Sequence, residues 1–344
     1  MNIWAQHVSE FIIVAPLSER EPTALDLAYT IETIDFRTVP AFDFTRLSSA
    51  VAAVVSVPLN FFTIISAFRR ADHLHLRCPG NVGLLGCVAQ FFFPRKPKTA
   101  KYAGNWDPQA SQPQSYRLQK ALLSSTWFSR RMKVLVYGEW IGSTRNIVPF
   151  FTASYREDEK IEIAVRELRG PIRFIFSGAL VPGKKPLYAL EILKGLYRMG
   201  LDVSLSFYGS GPEQALLEQE IASHGLQHVV SCRGSVSASE MKKAFQESHF
   251  TLLPSISEGW PKAVAEAMFW KSIPTAFPVS CIPYMLGDGN RGIILSGDID
   301  SDIMTLATLC SDPSLYRQKA EEAARWAQQF TLDRFGTEIQ KLVQ

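Results

Sequence analysis

The sequence predicts an α/β protein built from two doubly wound parallel-sheet domains. Three observations carry that expectation. The chain has 344 residues, more than one hydrophobic core organises well. Short apolar runs alternate with helix-like stretches in both halves, and a charged stretch separates the halves. Strands that are apolar throughout belong to parallel sheets covered on both faces. With 47% hydrophobic and 20% charged residues, the composition excludes a disordered or fibrous chain.

In the first half the strand-like runs are FIIVAP (11–16), DHLHLR (72–77) and VLVYG (134–138). Between the first two lies LSSAVAAVVSVPLNFFTIISAF, 22 uncharged residues from 47 to 68. Arg46 flanks it on one side, Arg69 and Arg70 on the other. The stretch is long enough to span a bilayer. Pro58 at its centre removes a helix hydrogen bond and favours two shorter helices, and Asn60 with five Ser/Thr dilutes its apolar character. A buried core helix is the favoured reading, with an interface-lying helix and a membrane span as alternatives.

YREDEKIEIAVRELRG (155–170) then breaks the apolar rhythm and ends in Gly170-Pro171. It marks a boundary between a domain of residues 1–155 and one of 171–320, with 156–170 as linker. The second half repeats the alternation with RFIFSG (173–178), VSLSFYG (203–209), VVSCRG (229–234), FTLLPS (250–255) and IPTAF (273–277). Helices are expected at 185–199, 212–224, 239–247 and 261–271. Pro186, Pro212 and Pro261 sit in first turns, and Gly225 just past an end. Residues 313–344 are helical in pattern, and 321–344 suit a terminal helix returning toward the first domain.

The net charge of +3 hides an asymmetry. Residues 1–150 hold 16 Lys/Arg against 10 Asp/Glu. Nine basic residues between Arg95 and Lys133 face only Asp107. Such a patch suits phosphates, anionic lipid or a diphosphate-linked acceptor; a solvated helix face is the alternative. Five cysteines without C-x-x-C spacing read as reduced thiols of a cytoplasmic protein. Met1 to Val14 show no secretory signal pattern.

The chemistry concentrates in PSISEGWPKAVAEAMFWKSIP (254–274), a strand end that opens into a helix at Pro261. Glu258 precedes the helix and Glu266 lies two turns inside it, so both carboxylates face the carboxyl end of the strand. A carboxylate accepts two hydrogen bonds at once, as sugar hydroxyls require. Backbone N–H groups near Gly259, Lys262, Ala263 and Val264 form an anion site at the helix start.

This pattern, S-x-x-E-G-x-P-x-x-x-x-E-A-M, resembles the E-x7-E signature of the retaining family 4 glycosyltransferases. The resemblance implies the GT-B fold, with two Rossmann-like domains facing a cleft. It also implies transfer of a hexose, with retention, from a nucleoside diphosphate sugar to a saccharide or lipid-linked acceptor in polysaccharide or glycolipid assembly. By that resemblance Glu258 contacts the donor sugar and Glu266 the ribose. FSGALVPGKKPLYALEIL (176–193) is similar to the family's strand, Gly178, and lysine before a helix, which makes Lys184 the diphosphate lysine, with Lys185 beside it. Gly209 and Gly211 stand where a loop approaches the donor, and Gly234 to Val236 where the backbone meets the base. Ala179 occupies the place of a usual arginine; a solvent-facing strand-end arginine is the favoured reading of Arg233, with replacement of that missing charge as the alternative.

The front half departs further. The family's first strand and glycine-rich loop do not precede FIIVAP, as though about 20 to 30 residues, one βα unit, were absent. The stretch that should carry an active-site histidine, TAKYAGNWDPQ (99–109), has Asn105, Trp106 and Asp107 instead. His73 and His75 point to one side of a strand. Both suit core positions, with an acceptor-side role for His75 as the alternative; Asn105 and Trp106 are the other acceptor-side candidates. No metal or other cofactor is implied beyond the donor itself, and no nucleic acid partner. The expected location is cytoplasmic, at the inner membrane face if the basic front half meets lipid. A truncated relative that binds nucleotide sugar without turnover is the competing reading, and a GT-B epimerase a third.

Overall fold

The structure, a computed structural model, describes residues 2–21, 27–42 and 47–343, with side chains before residue 56 in the helix from Leu47 left aside. Arg46 lies outside the described residues. The chain forms two compact units, Met1–Phe151 with Asp333–Gln344, and Thr152–Leu332.

The first unit contains α1 (Asn2–Ala5), β1 (Phe11–Ala15), β2 (Ile34–Thr38), α2 (Leu47–Arg70), β3 (Leu74–Cys78), α3 (Asn81–Ala89), β4 (Lys98–Tyr102), α4 (Gln114–Ser124), β5 (Met132–Tyr137) and β6 (Ile147–Phe150). β1 and β2 pair in parallel, and β3-β4-β5-β6 form a separate parallel sheet in chain order. The expected pair of short helices around Pro58 is instead one helix of 24 residues. Burial of Ile64, Ala67 and Phe68 beyond the proline holds the continuation, and the buried Asn60 donates its Nδ2 to Pro40 O at 3.0 Å. Among the described residues no helix is long and apolar enough to cross a membrane.

β4 escapes a reading by hydropathy because two of its five residues are lysines, yet every position is buried. Lys98 donates to Gln90 O and Phe93 O at 3.3 and 3.0 Å, and burial pulls its ammonium down to about 8. Lys101 donates to Phe151 O at 3.2 Å and lies 4.8–5.3 Å from the rings of Tyr137, Phe150 and Phe335.

The second unit contains β7 (Ile172–Ser177), α5 (Pro186–Arg198), β8 (Val203–Tyr208), α6 (Gln214–Ser223), β9 (Val230–Gly234), α7 (Ala238–Glu247), β10 (Phe250–Leu253), α8 (Lys262–Phe269), β11 (Ile273–Ala276), α9 (Ile282–Leu286), β12 (Ile293–Ile294), α10 (Ile299–Cys310) and α11 (Pro313–Ala327). Its six strands lie in the order β12-β11-β10-β7-β8-β9, all parallel. Counted from β7, that is the 3-2-1-4-5-6 order of a Rossmann sheet, whose switch point falls between β7 and β10. Phe174 of β7 stacks on Phe250 of β10 with centroids 4.9 Å apart, and both are fully buried in the core.

Residues 156–170 pack on this second unit. Arg166 donates to Gln246 O and Trp270 O, and Lys271 to Ile163 O at 2.6 Å. The C-terminal stretch is two helices: α11 ends at Ala327 and α12 (Leu332–Val343) follows. Ile339 of α12 joins Trp4, Leu135 and Phe150 in a cluster of the first unit.

Candidate functional site

In a parallel sheet the loops after each strand emerge at one edge. In the second unit those loops are laced together. Gly178 N donates to Tyr208 O and Leu180 N to Ser210 O, both at 3.0 Å. Gly209 N donates to Gly234 O at 2.8 Å, and Glu213 N to Leu180 O at 3.0 Å. The approach is too close for a side chain. A Cβ at Gly209 would lie 2.0 Å from Gly178 O, and one at Gly211 2.4 Å from Leu180 O. Gly209 also has φ +136, a value L side chains rarely adopt. These two glycines therefore shape the edge by bringing backbone onto backbone. Gly234 turns the chain out of β9 with φ +66, and the exposed Ser235 Oγ is 3.2 Å from Ser210 Oγ. Val236 follows, half-buried.

At the switch point the loop after β7 meets the loop after β10. Ile256 N donates to Gly183 O at 3.0 Å, and the Lys184 ammonium forms an ion pair with Glu258 Oε1. Lys184 is partly exposed and the Glu258 side chain nearly buried, at 28% and 8%. One end of this pair thus reaches solvent while the other is held inside. Gly259 is fixed from behind, its carbonyl accepting from Ser280 Oγ and lying 3.2 Å from Cys281 Sγ.

The sequence expectations need two corrections here, at Lys185 and at Val264. Lys185 adopts a left-handed backbone, φ 48, before α5, and its ammonium sits 4.9 Å from the Phe277 ring centroid and 5.7 Å from that of Tyr188. It belongs to that aromatic contact and does not double Lys184. Val264 is not a free donor, because its N–H is taken by Pro261 O at 3.0 Å. Among the described residues Lys262 and Ala263 keep the unbonded N–H groups of the α8 start. The exposed Arg233 lies on β9, the edge strand of the sheet.

Glu266, within α8, accepts a hydrogen bond from Ser154 Oγ. Burial raises its carboxyl above the usual range, opposed by Ser154 and by the Lys262 charge. Next to Ser154, Tyr155 packs at 4.8 Å on Phe269 and 5.1 Å on Trp270. Sequence reasoning missed Ser154: it stands 112 positions from its partner, just before the charged stretch read as the domain boundary and on its first-domain side. Among the described residues no group of three or more His, Cys, Asp or Glu side chains is arranged to hold a metal ion.

The acceptor-side candidates belong to the first unit. Trp106 is a core residue, 5% exposed, edge-on to Tyr102 at 4.9 Å, with the Lys120 ammonium 5.4 Å from its centroid. It is not available to a ligand as the sequence expectation required. Asn105 Oδ1 accepts from Asp107 N at 2.8 Å, a local turn. His73 and His75 both bond Thr99 Oγ1, at 2.9 and 2.8 Å. The His75 ring lies 3.9 Å from that of Trp4, and burial holds its imidazole down near 3, hence neutral.

A six-stranded parallel sheet in Rossmann order, with a lysine–glutamate pair at its switch point, is a doubly wound α/β unit, and solved structures show the same fold. Anabaena HepE, solved with UDP and glucose, matches with TM-score 0.67 at 15% identity over 90% of this chain and 86% of that one. The sucrose-phosphate synthase of Thermosynechococcus elongatus matches with TM-score 0.65 at 13% identity over 96% and 88%. The two parallel-sheet α/β units are those of the GT-B fold. Residues 158–326 match the family Glycosyl transferases group 1, and the chain carries a group 1 glycosyltransferase domain there. The D-inositol 3-phosphate glycosyltransferases of Arthrobacter sp. (strain FB24) and Paenarthrobacter aurescens (strain TC1) are 25% identical over 185 and 140 residues, which are 52% and 40% of this chain. The chain spans 44% and 31% of the length of these curated relatives.

Proposed function

We propose that the protein is a retaining hexosyltransferase that takes a hexose from a nucleoside diphosphate sugar and passes it to a saccharide or lipid-linked acceptor. The observation that carries this reading is the Lys184–Glu258 pair, formed by the loops after β7 and β10. An ammonium has three donors, and Glu258 Oε1 takes one. The others are free to meet diphosphate oxygens, together with the N–H groups of Lys262 and Ala263 at the positive end of α8. As the bond between the anomeric carbon and the diphosphate breaks, charge grows on the leaving oxygens, and fixed donors there lower the barrier. Glu258, held by Lys184, keeps a second oxygen for sugar hydroxyls. Glu266 accepts from the ribose, with Ser154 setting its orientation. HepE, solved with UDP and glucose, supports this class of donor.

Glu258→Gln and Lys184→Ala are each expected to cut turnover of the donor by about 10²- to 10³-fold, the usual effect of losing one such contact. Unchanged turnover in both variants refutes the assignment. A second reading, nucleotide-sugar binding without turnover, is favoured by Ala179 in place of an arginine and by the separation of β1-β2 from the sheet β3-β4-β5-β6. Donor binding in a wild-type protein that turns over no donor with any saccharide acceptor is the outcome that selects it.

A further inference from the structure

We infer that the first unit carries a docking surface for an anionic lipid bilayer, formed by an exposed chain of aromatic rings with arginines at its border. The ring chain runs from α2 to the segment after α4. Phe62 touches Phe61, Phe61 touches Phe92, and Phe92 touches Phe91, with centroids 5.9–6.4 Å apart. Phe91 meets Trp127 at 5.6 Å and stacks on Phe128 at 4.8 Å. Phe62, Phe92 and Trp127 are 70%, 62% and 70% exposed, although each could have been polar at no cost to the core. Rings this exposed, side by side, mark an interaction surface more than a random scatter of apolar residues does. Trp and Phe are the residues that settle at the headgroup boundary.

Charge decides the kind of partner. Arg95 follows Phe92 by three positions, and Arg130 and Arg131 follow Trp127 by three and four. Arg131 Nη1 donates to Arg95 O at 2.8 Å. Lys96 Nζ donates to Arg69 O at 2.9 Å, which brings the end of α2 to the same border. Arg69, Arg95, Arg130 and Arg131 are all exposed. None forms an ion pair among the described residues. Between Asp43 and Glu139 the sequence has 13 Lys/Arg and only two acids, Asp72 and Asp107. A protein partner would need an acidic rim around an aromatic-binding face. An anionic leaflet supplies both the negative surface and the apolar layer beneath it.

The test uses the full chain and vesicles of phosphatidylcholine with or without phosphatidylglycerol, read by co-sedimentation. Binding is expected to the mixed vesicles, weakening as salt screens the attraction. Arg130→Gln and Arg131→Gln are expected to lower the partition coefficient roughly fivefold per charge removed. Phe92→Ser with Trp127→Ser lowers it further, with the thermal midpoint preserved because these side chains lie at the surface. In Trp127→Phe, which keeps the affinity, quenching of tryptophan emission by brominated acyl chains falls. Equal partition to both vesicle types, or no partition to either, overturns the proposal. So does a concentration-dependent dimer that the same substitutions abolish in the absence of vesicle binding.

Discussion

Lys184 and Glu258 sit in loops that the sheet brings together across 74 positions, and glycine is required where the loop after β8 crosses the loop after β7. Gly209→Ala places a methyl 2.0 Å from Gly178 O, so the two loops have to separate. A loss of about 2–4 kcal/mol in denaturant unfolding is expected, together with weakened donor binding; a loss below half a kcal/mol contradicts the close-approach account. His249 gives a pH test. It is buried, takes the Arg173 N–H on Nδ1 at 3.0 Å, and burial pulls its imidazole to about 4. A histidine depressed in the folded state contributes full stability above its unfolded value near 6.5 and loses it as pH falls toward 4. The expected loss is about 2 kcal/mol at pH 5, absent in His249→Gln as seen in urea midpoints measured from pH 7 to 5. Glu258, Glu266 and Lys184 were singled out because their flanking residues form a long pattern, and the structure pairs Lys184 with Glu258. Ser154, Lys185 and the Val264 N–H were not, since each is decided by a tertiary contact or by one backbone angle.

The elements show the same division. The strands of the second unit stood out as apolar runs because both faces of that sheet are covered, and the four helices predicted between 185 and 271 needed end shifts of at most two residues. β4 did not stand out. Its lysines are buried against carbonyls and rings, a solution that hydropathy reads as surface. The short β6 and β12 offered four and two residues, too few for a period to show. α2 departs in the opposite sense: Pro58 predicted a break that packing overrides. Because that proline is exposed and denies α2 one backbone bond, Pro58→Ala is expected to raise stability by about 1–3 kcal/mol, read as a higher thermal midpoint. An unchanged or lowered midpoint indicates that the ring itself supports the helix. In α7, Ser237 and Glu240 form a reciprocal capping box. Ser237→Ala is expected to cost about 1 kcal/mol, measurable as a lower urea midpoint.

For the whole molecule, the sequence anticipated two α/β units, and the structure adds that they differ in completeness. The second has the full 3-2-1-4-5-6 sheet with its loops laced at one edge; the first has two parallel sets of strands, β1-β2 and β3-β4-β5-β6. The residues proposed to hold the donor all belong to Thr152–Leu332. Donor binding is therefore the property of this chain that can be tested without knowing the acceptor. The most direct measurement is calorimetric titration of wild type and Lys184→Ala with UDP and the other nucleoside diphosphates. One diphosphate is expected to bind wild type, with its Kd raised about 10- to 100-fold by Lys184→Ala, the value of a charge-assisted hydrogen bond. Equal affinity of the two proteins for every nucleoside diphosphate that binds contradicts the account.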